Sequence, residues 1–145
     1  MISYSTTLEF SEALPDGSVL RNFCEPELDF VWSESNWAEI VFPFNSGKKV
    51  KTEMSDLVID CDVFKSPMRE LKQSVFFYLN GLRIGSFDIS RREIRVIMFP
   101  TSLIRAKDNS LTFDTPESSS PSSIGVSDDK RRLGIQVFSV QIQPA

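Results

Sequence analysis

The chain contains no histidine among its 145 residues. That removes Ser-His-Asp and Cys-His nucleophile systems, imidazole acid–base catalysis and the common zinc sites. Cysteine is scarce too: Cys24 and Cys61 are the only two, far apart and without metal-ligand spacing. The start Met-Ile-Ser-Tyr-Ser-Thr-Thr has neither the basic head nor the apolar core of an export leader, so two reduced thiols and a cytoplasmic address are expected. No apolar run approaches the length of a membrane-spanning helix. Basic charge is thin: 20 acids outnumber 16 bases for a formal net charge of −4, and only Lys130-Arg131-Arg132 is dense, beside Asp128 and Asp129. A phosphate-tracking face is therefore not expected, and neither is a nucleic-acid partner. Helical periodicity, internal repeats, heptads and interdomain linkers are all missing, which leaves one domain over 1–145.

What is present points to sheet. Twelve phenylalanines, with Val and Ile outweighing Ala and Glu, favour strands over helices. Over Ser55 to Lys65, Leu57, Ile59, Cys61 and Val63 fall on one face while Asp60 and Asp62 fall on the other, the period of a half-buried strand. A break at Lys65-Ser66-Pro67 follows. Asn80-Gly81 then separates two β-rich runs from Gln73 to Ile89, a hairpin signal because a type I′ turn needs positive φ at both positions. Further strands are expected over Arg92–Phe99, Ser110–Thr115, Leu133–Gln143 and Trp37–Phe44, with weaker ones at Ser3–Phe10 and Leu28–Trp32 and one helical turn after Pro100. About eight short strands in this length make an antiparallel β-sandwich, jelly-roll or immunoglobulin-like.

The candidate chemistry is modest. Trp32 and Trp37 bracket a polar bend, Ser33-Glu34-Ser35-Asn36. An aromatic face beside carboxylates and amides suits a sugar ring, although tryptophan packing in a core is the commoner outcome. The binding candidates are Trp32, Glu34, Asn36 and Trp37, joined by Tyr78, Asp129 and Arg131. Asp129 and Arg131 also suit a structural ion pair within the long connection from Thr115 to Arg132. Asp60 and Asp62 read as a solvated strand face; a glycosidase or lyase built on them or on Glu39 is the weakest reading, since no acid pair stands out. Cys61 reads as a small core residue. No catalytic residue, metal site or cofactor is assigned.

One resemblance covers the C-terminal half. Asn80-Gly81, Gly85-Ser86-Phe87, Phe99-Pro100, Leu111-Thr112-Phe113 and the run Ser120-Pro121, Gly125, Ser127, Asp129, Arg131, Leu133-Gly134-Ile135 resemble a β-sandwich accessory module found with bacterial glycosyltransferases and surface-polysaccharide assembly enzymes. Ile124 stands where that pattern usually has Leu, and Trp32-Ser33-Glu34 with Trp37 resemble its upstream aromatic motif. The resemblance implies a non-catalytic, carbohydrate-recognition domain whose partners are a glycan or glycan precursor and a glycosyltransferase. The alternative is a protein-interaction or scaffolding sandwich that positions such an enzyme through the 115–132 connection.

Overall fold

The computed structural model describes residues 4, 6–10, 17–27, 29–45, 52–64, 72–118, 120–123, 125 and 127–145. Ten strands run in chain order: β1 Thr7–Glu9, β2 Val19–Arg21, β3 Val31–Glu34, β4 Trp37–Phe42, β5 Met54–Val63, β6 Gln73–Leu79, β7 Leu82–Ile89, β8 Glu93–Pro100, β9 Asn109–Asp114 and β10 Leu133–Pro144. They form two antiparallel sheets. Sheet I has the order β1-β10-β5-β8, with β3 also pairing β10; sheet II has the order β2-β4-β9-β6-β7. The helical turn expected after Pro100 is a single 3-10 turn, Thr101–Leu103. Of the ten strands, β2 alone was not expected: it is only three residues long, too short to carry a readable period, and pairing with β4 stabilises it. The break at 65–67 and Ile124 lie outside the described residues.

Alternation decides what is buried. Ala38, Ile40 and Phe42 of β4, Val75, Phe77 and Leu79 of β6, and Leu111 and Phe113 of β9 face the interior of sheet II. Leu57, Ile59, Cys61 and Val63 of β5 and Ile135, Val137, Val140 and Ile142 of β10 answer them from sheet I. Phe113 sits at the centre, edge-to-face with Phe77 (centroids 5.7 Å) and Phe23 (6.2 Å), the arrangement aromatic quadrupoles prefer. Asn80 and Gly81 both take positive φ, 51° and 84°, at the β6–β7 hairpin.

Buried Asn109 is held by specific partners. It donates from Nδ2 to the carbonyls of Arg105 (2.6 Å) and Phe42 (3.3 Å) and accepts from the Arg105 N–H (2.7 Å). The β8 edge carries Ile94, Val96 and Met98 outward, while Arg95 points inward over the Phe87 ring (4.8 Å) and pairs with Glu93 (2.9 Å). An inward charge and a terminal proline discourage edge-to-edge pairing.

The tightest junction lies at Gly134. A Cβ there would collide with the Thr115 hydroxyl and lie 2.8 Å from Ser33 Oγ and 2.9 Å from Thr115 Cβ. The pairing of β10 with β3 shifts register between Leu133 and Gln136, and the buried Ser33 hydroxyl fills that irregularity by accepting the Ile135 N–H (2.8 Å). Overpacking a site walled by short, backbone-anchored side chains costs about 3 kcal/mol. Gly134→Ala should therefore lower the melting temperature by about 10 °C. Gly85→Ala, whose Cβ would meet only the flexible Ile97 side chain, nearest at Cγ2 (3.2 Å), should cost less. Calorimetry on both variants checks this, and a G134A melting temperature within about 2 °C of wild type contradicts it.

Candidate functional site

The Ser35–Asn36 turn carries the chain from β3 in sheet I to β4 in sheet II. Ser35 holds φ at 77°, a left-handed conformation unusual for serine. Two backbone bonds fix it there: the Ser35 N–H donates to the Arg132 carbonyl (2.8 Å), and the Thr115 N–H donates to the Asn36 carbonyl (2.8 Å). The turn is thus clamped between both ends of the 115–132 connection. Trp37 follows as the first residue of β4, directly opposite Asp114, the last residue of β9.

Trp37 is 43% exposed on the outer face of sheet II. The register runs Trp37–Asp114–Phe76–Ser86 across four strands. Trp37 and Phe76 stand two strand spacings apart, roughly 10 Å, with the Asp114 carboxylate between them. The adjacent row is Arg21–Glu39–Thr112–Tyr78–Arg83. Much of that row is engaged: Arg21 pairs with Glu39 (3.3 Å), Ser110 donates to Glu39, and Arg83 lies 4.6 Å over the Phe76 ring while donating to Ser86 (3.0 Å). Among the described residues, Asp114 and the Tyr78 hydroxyl have no side-chain hydrogen-bond partner. An exposed indole beside a free carboxylate and a free phenol can stack one face of a pyranose and accept its hydroxyl protons.

The seven residues singled out from sequence do not form one cluster. Trp37 and Tyr78 share the outer face of sheet II, in neighbouring rows. Trp32 lies on sheet I, half-buried opposite Gln136 and packed edge-on against Phe30 (6.1 Å) and Phe64 (6.3 Å). The two tryptophans therefore do not form one platform, because the turn between them changes sheets. Asn36 is spent on the clamp through its carbonyl, and its side chain accepts from the Ser35 hydroxyl (3.3 Å).

Glu34, Asp129 and Arg131 lie together, around Cys24. The Cys24 thiol approaches Glu34 Oε2 at 3.9 Å. Arg131 grips Asp129 in a forked ion pair, with Nη2 to Oδ2 at 2.7 Å and Nε to both oxygens at 3.1 Å, while its N–H also donates to Oδ1 (3.0 Å). Those bonds hold the Asp129 carboxyl below its ordinary value of 3.8 and raise Arg131 further above its own. Burial pushes the Cys24 thiol up, with Arg131 opposing. Cys61, in the core, is pushed up to about 12 by burial and then by Asp60, Glu93 and Asp62. Asp60 is engaged as well, in a two-bond pair with Arg92 (3.0 and 3.1 Å).

Phe76 and Asp114 were not singled out from sequence. The alternation Ser74-Val75-Phe76-Phe77-Tyr78-Leu79 already places Phe76 beside Tyr78 and away from the core. Nothing local, however, says that β9 lies between β4 and β6.

No protein-family model matches the sequence, and no curated protein matches it. Solved structures do match. A family GH115 4-O-methyl-α-glucuronidase, BtGH115A, with specificity for decorated arabinogalactans, superposes with a TM-score of 0.54 at 12% identity, over 98% of this chain and 18% of that one. A family 35 carbohydrate-binding module from Clostridium thermocellum gives 0.50 at 8% identity, over 97% of this chain and 100% of the module. The CBM36-1 domain of a multidomain xylanase from the hindgut metagenome of Trinervitermes trinervoides gives 0.50 at 10% identity, with 97% of each chain covered. The chain thus spans under a fifth of the glucuronidase and almost the whole of both modules. What is shared at these identities is the β-sandwich fold.

The Asp129–Arg131 pair generates a pH test. A carboxyl depressed in the folded state contributes stability above its unfolded value near 3.8, and that stability disappears as pH falls through the lower folded value. Arg131→Ala should lower the melting temperature at pH 7 and lower it by less at about pH 3, below the ordinary carboxyl value of 3.8. Equal losses at both pH values would show that Arg131 acts through packing alone.

Proposed function

We propose that this chain is a non-catalytic carbohydrate-recognition module that binds saccharide on the outer face of sheet II. One observation carries the reading: exposed Trp37 stands in register with Asp114 and Phe76, beside Tyr78, and neither the Asp114 carboxylate nor the Tyr78 hydroxyl has a side-chain partner among the described residues. The indole supplies apolar area for the C–H face of a sugar ring, and Asp114 and Tyr78 supply acceptors for its hydroxyls. The fold supports the same reading, since two of the matching structures are whole carbohydrate-binding modules. Affinity is expected to be low. Each sugar hydroxyl exchanges a water bond for a protein bond at a net gain of about 1 kcal/mol.

The finer assignment, to surface-polysaccharide assembly beside a glycosyltransferase, rests on the motif resemblance of the C-terminal half. Two of the matching structures, a glucuronidase and a domain of a xylanase, carry the names of glycan-degrading enzymes. Both kinds of glycan therefore belong in the test.

Isothermal titration against xylo-, manno- and arabinogalactan oligosaccharides and fragments of bacterial surface polysaccharide should find at least one ligand. Trp37→Ala should weaken that binding by about tenfold or more, a loss of about 1.4 kcal/mol, without changing the melting temperature. Trp32→Ala should do the reverse, destabilising the fold and leaving affinity intact. Absence of saccharide binding up to millimolar concentration, together with enzyme co-purification indifferent to Trp37→Ala, would replace this reading with the scaffolding one.

A further inference from the structure

A second polar site lies within the 115–132 connection. Ser118, Ser120, Ser123, Lys130 and Arg132 line an open pocket of about 390 Å³. Two cations and three hydroxyls face it, and no carboxylate among the described residues joins the lining. The nearby acid Asp129 is turned away into its fork with Arg131.

Arg132 is built in rather than loose. Its Nε donates both to the Ser118 carbonyl (3.0 Å) and to the Ser118 hydroxyl (2.9 Å), and Ser118 itself is 95% buried, with only 5% of its surface exposed. That anchoring fixes the guanidinium plane through one nitrogen. Both terminal Nη groups have no hydrogen-bond partner among the described residues, and Lys130 has no ion pair there. The Ser118 hydroxyl, accepting from Nε, keeps its own proton to donate. An arginine held by Nε with its terminal amines free, a second cation and a spare hydroxyl proton make a receptor for a compact oxyanion.

We propose that this pocket binds an oxyanionic substituent (a carboxylate, sulfate ester or phosphate ester) carried by a saccharide. The oxyanion chemistry stands on the pocket alone; the saccharide as its carrier rests on the reading of the sheet II face. The connection joins the two places. Thr115, whose N–H is bonded to Asn36 next to Trp37, lies three residues before Ser118, and the Ser118 N–H returns to the Thr115 carbonyl (3.0 Å).

The test titrates the intact domain with glucose, glucuronate, glucose 6-sulfate, glucose 6-phosphate and inorganic phosphate, following backbone amide shifts. At least one anionic sugar should bind about tenfold more tightly than glucose, with shifts centred on Lys130, Arg132 and Ser118 and an affinity that falls as salt rises. Exposed Lys130 can be removed without touching the fold, so Lys130→Ala should erase about tenfold of that preference and leave neutral-sugar binding unchanged. Equal binding of glucose and all its anionic derivatives, with the Trp37 face still responding, overturns the pocket and leaves the saccharide module standing. Binding of inorganic phosphate in the pocket with no response to any sugar retains the oxyanion site and overturns the saccharide as its carrier.

Discussion

The approach of Thr115 to the bare backbone of Gly134 is the constraint on which one end of this sandwich depends. Strand β10 leaves no side chain at that point, so β3 and the start of the 115–132 connection close onto it from two directions. Ser33 then caps the displaced Ile135 N–H, the Gly134 carbonyl accepts from Phe64, and Asn36 and Arg132 hold the turn between the sheets. Among the described residues Thr115 Oγ1 is left buried without a partner, a cost of about 1–3 kcal/mol that the surrounding packing offsets. Every residue discussed as a binding group near that end inherits its position from this junction. Trp37 follows the clamped turn, Asp114 precedes Thr115, and Arg132 closes the connection.

The two outer faces consequently differ in chemistry. On sheet I several polar and aromatic groups are engaged with one another: Arg92 lies 3.6 Å over the Phe138 ring while gripping Asp60, and Trp32 packs against Phe30 and Phe64. On sheet II the engaged groups lie towards Arg21 and Arg83, leaving a gap at Trp37, Asp114 and Tyr78. An exposed indole beside unengaged acceptors is what a sugar ring needs, which is why the second face rather than the first is assigned the saccharide.

Much of the fold was legible in the sequence because the signals were local. Period-two alternation marked β5, and positive φ at Asn80 and Gly81 was foreshadowed by residue type. The long connection was legible as an ordered one, since Asp129 and Arg131 are two residues apart and need no distant partner. Less of the site was legible. Trp32 and Trp37 look like one platform in a linear reading, and only the change of sheet at Ser35–Asn36 separates them. Phe76, Asp114 and Trp37 meet through a register across three strands distant in sequence, a relation that no local pattern encodes. The same holds for Gly134, whose neighbours Ser33 and Thr115 come from distant segments.

The central claim is that saccharide is recognised on the outer face of sheet II, and amide shift mapping during titration with a bound oligosaccharide tests it most directly. The account predicts perturbation of the Trp37 indole and of the Asp114, Phe76 and Tyr78 amides, with Trp32 and Gln136 on the opposite face unmoved. Shifts confined to Trp32, Gln136 and Phe138, with the Trp37 indole unmoved at saturation, would contradict it.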